Sequence, residues 1–128
     1  MKNHIVNVAL VGCGRISEKH LTNIFKLQDQ ICLKAICDND NEKLNKTNKF
    51  ISELQLSDLN QSRKIRNFND YDNLLNEISI GKIDIDLIVL CTPSGFHAQQ
   101  SIKAGNLGIN VCTEKPLATS LKDGYEIC

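Results

Sequence analysis

Between His4 and Ser17 the chain runs from an apolar strand through a glycine turn into a helix, and few folds accommodate that succession. Ile5, Val6, Val8, Ala9, Leu10 and Val11 form a nearly unbroken apolar run, the pattern of a strand covered on both faces. Gly12-Cys13-Gly14-Arg15-Ile16-Ser17 follows, and Ile16, His20, Ile24 and Leu27 then predict the inner side of a helix opening near Arg15. A phosphate at such a turn needs backbone N–H groups aimed at it and no Cβ in the way. Gly12 permits the tight turn and Gly14 the close approach of a pyrophosphate, while the helix directs the positive end of its dipole at the charge. Ser17 stands where a dinucleotide fingerprint carries a third Gly or Ala, and it is small enough for close helix–strand packing. The plain alternative is a βα turn that holds no ligand.

The rest of the chain repeats the alternation. Ile31 to Cys37 reads as a second strand ending in Asp38, whose carboxylate can accept from the hydroxyls of an adenosine ribose. Asn39 and Asp40 follow with no Arg beside them, so a 2′-phosphate meets repulsion and NAD is favoured over NADP. Asp38 or Asp40 alternatively caps the next helix, and the two roles can be divided between them. That helix is expected from Asn41 to Leu54, with Leu44, Ile51 and Leu54 inward. The stretch from Gln55 to Arg66 is polar, and Arg63-Lys64-Ile65-Arg66 reads as a solvated face rather than a phosphate site. Ile65 to Phe68 makes a short strand. Asp70 caps a helix carrying Tyr71, Leu74, Leu75 and Ile78, which Gly81 stops. Asp86 to Thr92 is another strand apolar on both faces, ended by Pro93. A helix from Ser94 or Gly95 runs to Ala104 and closes at Gly105; Ile109 to Thr113 is the last strand, before Glu114-Lys115-Pro116. Thr119 or Ser120 caps a final helix with Leu121, Tyr125 and Cys128 on one side. Strands alternating with helices imply an α/β fold with a doubly wound parallel sheet, a Rossmann-type dinucleotide-binding domain.

Composition narrows the function classes. The 128 residues fit one domain, and 15 Lys+Arg balance 15 Asp+Glu, so no net field draws the chain to nucleic acid or a membrane surface. Trp is absent and aromatic residues are few, which argues against a base-stacking surface. No apolar run reaches the ~20 residues of a membrane span, and the amino terminus lacks the pattern of a signal peptide. A cytoplasmic location is expected. Cys13, Cys32, Cys37, Cys91, Cys112 and Cys128 are scattered, with no C-x-x-C spacing, and read as reduced thiols rather than metal ligands. Cys13 stands apart, because a helix amino terminus can lower a thiol's pKa.

In a doubly wound sheet, ligands bind beyond the carboxyl ends of the strands. The Gly12–Ser17 turn, Asp38, the segment from Thr92 to His97 and that from Glu114 to Pro116 all follow strands. Their convergence argues for a dinucleotide site.

Three segments then make the likeness specific: Gly12-Cys13-Gly14-Arg15-Ile16, Thr92-Pro93-Ser94-Gly95-Phe96-His97 and Glu114-Lys115-Pro116-Leu117-Ala118. Together they resemble the nucleotide-binding domain of the glucose–fructose oxidoreductase/inositol dehydrogenase (Gfo/Idh/MocA) family, over essentially the whole chain. Gln99, Gln100 and Asp123-Gly124 add similarity to its UDP-N-acetyl-2-amino-2-deoxyglucuronate dehydrogenase branch, which serves bacterial surface-polysaccharide synthesis. The resemblance implies NAD(P)-dependent oxidation or reduction at a sugar or cyclitol carbon. Gly12 and Gly14 would hold the pyrophosphate, Cys13, Arg15 and Ile16 of the same turn would bind the cofactor with them, and Asp38 would hold the adenosine ribose. Thr92, Pro93 and His97 would line the channel between adenine and nicotinamide, Glu114 would meet the nicotinamide end, and Lys115 would reach the substrate. A partly desolvated lysine beside a positive nicotinamide ring gives up its proton more readily and can then take the carbinol proton. Pro116 would fix the turn that aims it. His97, in the first turn of a helix, could equally brace its own loop, and His20 reads as structural. The family's second, C-terminal α/β domain, with its substrate contacts and oligomer interface, has no counterpart in residues 1–128, so alone the chain is expected to bind NAD weakly and catalyse little. No metal is implied. A stand-alone NAD sensor is the alternative, which would have no need of Lys115; a methyltransferase, whose glycine loop also follows its first strand, has less support.

Overall fold

The computed structural model describes residues 4–56, 64–115, 118 and 120–128. Strands and helices alternate along the chain: β1 (Val6–Val11), α1 (Ser17–Lys26), β2 (Ile31–Cys37), α2 (Asn41–Leu56), β3 (Arg66–Phe68), α3 (Tyr71–Ser79), β4 (Leu87–Leu90), α4 (Ser94–Asn106), β5 (Asn110–Thr113) and α5 (Leu121–Ile127). The strands form one 5-stranded sheet in the order β3-β2-β1-β4-β5, and every pairing is parallel. β1 is central because both its faces are apolar. Val8 and Leu10 enter a core with Leu21 and Ile24 of α1 and Leu44 and Ile51 of α2. Ala9 and Val11 enter the opposite core, with Leu74 and Leu75 of α3 and Ala104 of α4. Parallel strands need crossovers, and these helices supply them on both faces.

The pairing of β1 with β2 is irregular. Val8 lies opposite Leu33 and Ala9 opposite Ala35, so Lys34 is an extra residue on β2. Side chains of β2 change phase there: Leu33 and Ile36 share one core, Ala35 and Cys37 the other.

Local chemistry sets the element ends. Asp70 caps α3 by accepting from the Asp72 N–H at 3.2 Å, and Gly81 follows that helix with φ +79°. Asp40 accepts from the Glu42 N–H at 2.9 Å at the start of α2. Ser120 caps α5 by accepting from Asp123 N–H at 3.1 Å. Among the described residues no helix is long and apolar enough to cross a membrane.

Four expectations require correction. The buried residues of α1 are Ser17, Leu21 and Ile24, while Ile16 and Leu27 are exposed, so of the expected stripe only Ile24 is buried, and Ser17 and Leu21 take the inner places. α4 continues past Gly105 to Asn106, and it is Gly108, with φ +77°, that turns the chain into β5. β4 stops at Leu90, although Cys91 still donates its N–H to Val11 O at 2.7 Å. Finally, Leu121 and Tyr125 are exposed, and α5 buries none of its residues. Of the basic cluster, Lys64 is exposed and Arg66 pairs with Glu77 at 2.6 Å; Arg63 lies outside the described residues, as do Pro116, Leu117 and Thr119.

Candidate functional site

Sheet order reverses between β1 and β4, and the carboxyl ends of these neighbours open a crevice. The first turn comes within touching distance of β4. Gly12 has φ +94°, and a Cβ there would lie 2.6 Å from Cys91 C and 2.7 Å from Thr92 N. Glycine is therefore required twice, by conformation and by space. Its N–H donates to Cys37 O at 2.8 Å, which ties the turn to β2 as well. Gly14 differs: a Cβ built on it meets nothing within 4 Å, so it borders open space. Ser17 closes the turn, donating from both N–H (3.1 Å) and Oγ (2.5 Å) to Gly14 O. The N–H groups of Gly14, Arg15 and Ile16 donate to no acceptor among the described residues. They stand at the amino-terminal end of α1, where the helix dipole is positive. Such a cradle has the donors and the clearance a pyrophosphate needs.

Asp38 follows β2 and faces this turn. Oδ2 accepts from Cys13 N–H at 2.7 Å and Oδ1 from Asp40 N–H at 2.9 Å. The carboxylate thus holds the glycine turn in place while leaving lone pairs toward the cleft. Capping of α2 falls to Asp40, not to Asp38. Cys13 departs from expectation. Its amide is taken by Asp38, and its Sγ turns inward, 3.8 Å from Cys37 O. Burial pushes the thiol up to about 11, against a partial lowering by a hydrogen bond with Thr47. The helix terminus does not activate it, because the sulfur points into the core rather than along the dipole. Burial likewise raises Cys37 and Cys91, each to about 12, and Tyr71.

The loop after β4 is braced from within. His97 is 1% exposed and its Nε2 contacts Thr92 O at 2.7 Å. Thr92 Oγ1 donates to Gln100 Oε1 at 2.5 Å, and Tyr71 Oη to Gln100 O at 2.7 Å. These bonds fasten α4 to the loop and to α3.

A cleft of about 650 Å³ joins these parts, lined among others by Gly12, Gly14, Asp38, Thr92, Pro93 and Phe96. A second open recess, of about 430 Å³, lies beside β3 and α3 and holds none of the expected residues. The lining of the larger cleft adds Lys43 and Asn69, which pattern reading passed over, and Gln100, which entered only through the family resemblance. Asn69 and Asp70 could have been found, since they too follow a strand. Arg15, Ile16, Cys13, His97, Glu114 and Lys115 are not part of the cleft wall. Arg15 and Ile16 are exposed on the turn beside it.

Glu114 is half-buried after β5. Its N–H donates to Leu90 O at 3.3 Å, and its Oε1 lies 2.5 Å from Nε2 of His20 on α1. Lys115 is exposed. The partial desolvation expected of it is not supplied by the described residues, which leave its side chain open to water.

Comparison with known proteins places these features in a family. Residues 6–128 match the Gfo/Idh/MocA model, described as an oxidoreductase family with an NAD-binding Rossmann fold. The WlbA dehydrogenase of Chromobacterium violaceum, solved with NADH and UDP-GlcNAcA, superposes with a TM-score of 0.80 at 31% identity, over 99% of this chain and 32% of that one. The scyllo-inositol dehydrogenase of Lactobacillus casei, solved with NAD(H) and scyllo-inositol, gives 0.75 at 27% identity over 96% of this chain and 32% of that one. A glycosyl hydrolase family 109 protein of Shewanella pealeana is 28% identical over 98% of this chain and 26% of its own length. The chain therefore spans about a third or less of the proteins it matches.

Proposed function

Because this chain belongs to the Gfo/Idh/MocA oxidoreductase family, with its NAD-binding Rossmann fold, we propose that it is the cofactor domain of an enzyme moving hydride between nicotinamide and a sugar or cyclitol carbinol. The observation that carries this reading is the cleft at the β1–β4 reversal, with Gly12 and Gly14 on one wall and Asp38 at its side.

Each residue has a part. The Gly14, Arg15 and Ile16 amides hold the pyrophosphate, and Gly12 gives the turn its shape. Cys13 supplies only backbone, as the anchor of Asp38. Asp38 accepts from the adenosine ribose, and its charge, with that of Asp40, disfavours a 2′-phosphate; NAD is the preferred form. Thr92 and Pro93 wall the middle of the cleft, while His97 keeps that loop in shape from behind. Glu114 lies toward the nicotinamide end. Bound NAD⁺ supplies the hydride acceptor, and Lys115 Nζ takes the proton released from the carbinol oxygen. Its open position suits a residue completed by substrate and by a further domain. We assign residues 1–128 to cofactor binding, and substrate choice and oligomer contacts to a C-terminal α/β domain. The WlbA dehydrogenase was solved with UDP-GlcNAcA, which favours a nucleotide-sugar, a UDP-linked uronic acid, as the substrate here; the setting we propose, cytoplasmic surface-polysaccharide synthesis, rests on the sequence resemblance.

Calorimetric titration of the purified chain with NADH, NAD⁺ and NADP⁺ tests the assignment. Binding of NAD(H), with NADP⁺ weaker and the difference narrowed in Asp38→Ala, is the expected result. No uptake of NADH or NAD⁺ at millimolar concentrations refutes it.

A further inference from the structure

His20 sits outside the cleft, on the first turns of α1, and a histidine there needs no partner across the molecule. It has one: its Nε2 lies 2.5 Å from Oε1 of Glu114, 94 positions away. Their side chains are 28% and 37% exposed, so the pair is partly shielded from water. Glu114 is held from two directions. Its amide is bonded to Leu90 O at the end of β4, and its carboxylate is bonded to α1. No third described side chain bonds that carboxylate, so His20 alone fixes its direction.

The position of the pair gives it meaning. A dinucleotide lies across the crevice with its pyrophosphate at the amino end of α1 and one ribose at the acidic residue after β2. Asp38 occupies that acidic place, on the β2 side of β1. The other half must extend over β4 and β5, where Glu114 and Lys115 emerge. A carboxylate on a short turn samples several rotamers unless a partner restrains it. A charge-assisted hydrogen bond is the strong form of such a restraint.

We propose that His20 is a positioning residue: by gripping Glu114 it locks the turn after β5 against α1 and presents that turn to the nicotinamide half of the dinucleotide. The inference rests on the cofactor reading above. It differs from a structural role in one respect: a fold-supporting histidine affects every ligand of the cleft alike, whereas this one affects the nicotinamide half alone.

Binding of NADH and of ADP-ribose, which lacks the nicotinamide, separates the two. Titrations use the purified 128-residue chain and its His20→Ala, His20→Gln and His20→Asn variants. His20→Ala is expected to weaken NADH at least about fivefold and ADP-ribose less than about twofold. His20→Gln, whose amide nitrogen reaches the same place, restores most of the NADH affinity. The emission shift of the bound dihydronicotinamide follows the same order. If His20→Ala does not fold, His20→Gln and His20→Asn against the parent carry the comparison: Gln keeps most of the NADH affinity, and the shorter Asn, which does not reach Glu114, loses it selectively. Equal loss of both ligands, or no loss of either, overturns the role of His20 and leaves the cofactor reading standing. A parent chain that binds neither ligand overturns the cofactor reading and this inference with it.

Discussion

Replacing Gly12 by alanine probes the one glycine of the seven whose added Cβ would meet a neighbour within 4 Å. At φ +94° an L side chain is strained whatever surrounds it, and the added methyl would sit 2.6 Å from Cys91 C, 2.7 Å from Thr92 N and 2.8 Å from Cys91 O. Those are backbone atoms of the segment leaving β4, which cannot swing aside as a side chain does. The left-handed conformation costs about 1–2 kcal/mol, and forced overpacking about 1–3 kcal/mol more. Together that is roughly 2–5 kcal/mol from the roughly 5–15 kcal/mol that holds a domain folded. Gly12→Ala should therefore lower Tm by about 10 °C or more, read by circular dichroism on the purified chain. Gly14→Ala is the control, because its Cβ meets nothing within 4 Å; its Tm should stay within about 3 °C of the parent. A Gly12→Ala chain melting as the parent does, or a Gly14→Ala chain falling just as far, would refute the argument that contact with β4 governs this turn.

Other outcomes follow from the thiols and from Lys115. With Cys13, Cys32, Cys37 and Cys91 buried and Cys112 and Cys128 exposed, iodoacetamide should label only the exposed pair in the native chain. Rapid native labelling of Cys13, seen by peptide mass spectrometry, would contradict its inward Sγ. Because burial raises Cys13 from 9.0 to about 11 and Cys37 and Cys91 from 9.0 to about 12, the unfolded chain loses these protons first. Their contribution to stability is thus intact below about pH 9 and is lost as pH rises toward 11–12, so the urea midpoint should fall between pH 8 and pH 10. An unchanged midpoint argues against burial as the cause. In a complete enzyme containing this domain, Lys115→Ala should lower turnover at least about 10²-fold while NADH affinity stays within about twofold; parental turnover would remove Lys115 from the chemistry.

Much of this was readable beforehand because apolar runs report burial directly. β1, β2 and β4 show apolar runs broken only by Asn7 in β1 and Lys34 in β2, which made the order of elements and the parallel sheet legible. Asp38 was legible for the same reason: it ends a run. What stayed hidden depends on contacts between distant segments. Nothing local pairs His20 with Glu114, or sends Thr92 Oγ1 to Gln100. The sulfur of Cys13 looked activated because sequence locates the residue at a helix terminus yet is silent about which way its side chain turns. α5 misled in another manner. Leu121 and Tyr125 have core spacing, but spacing says that one side is apolar, not that anything covers it.

The extra residue at Lys34 has a consequence downstream. Alternation along a strand means that adding or removing one residue exchanges its two sides. Were Lys34 kept but paired in regular register instead of bulged, Ile36 would trade places with Ala35 and Cys37, and the carboxylate after them would turn away from Cys13 N–H. The orientation of Asp38 is thus decided half a strand earlier, by a lysine that touches nothing in the cleft. The bulge absorbs one surplus residue, so that the carboxylate still arrives beside Cys13 N–H.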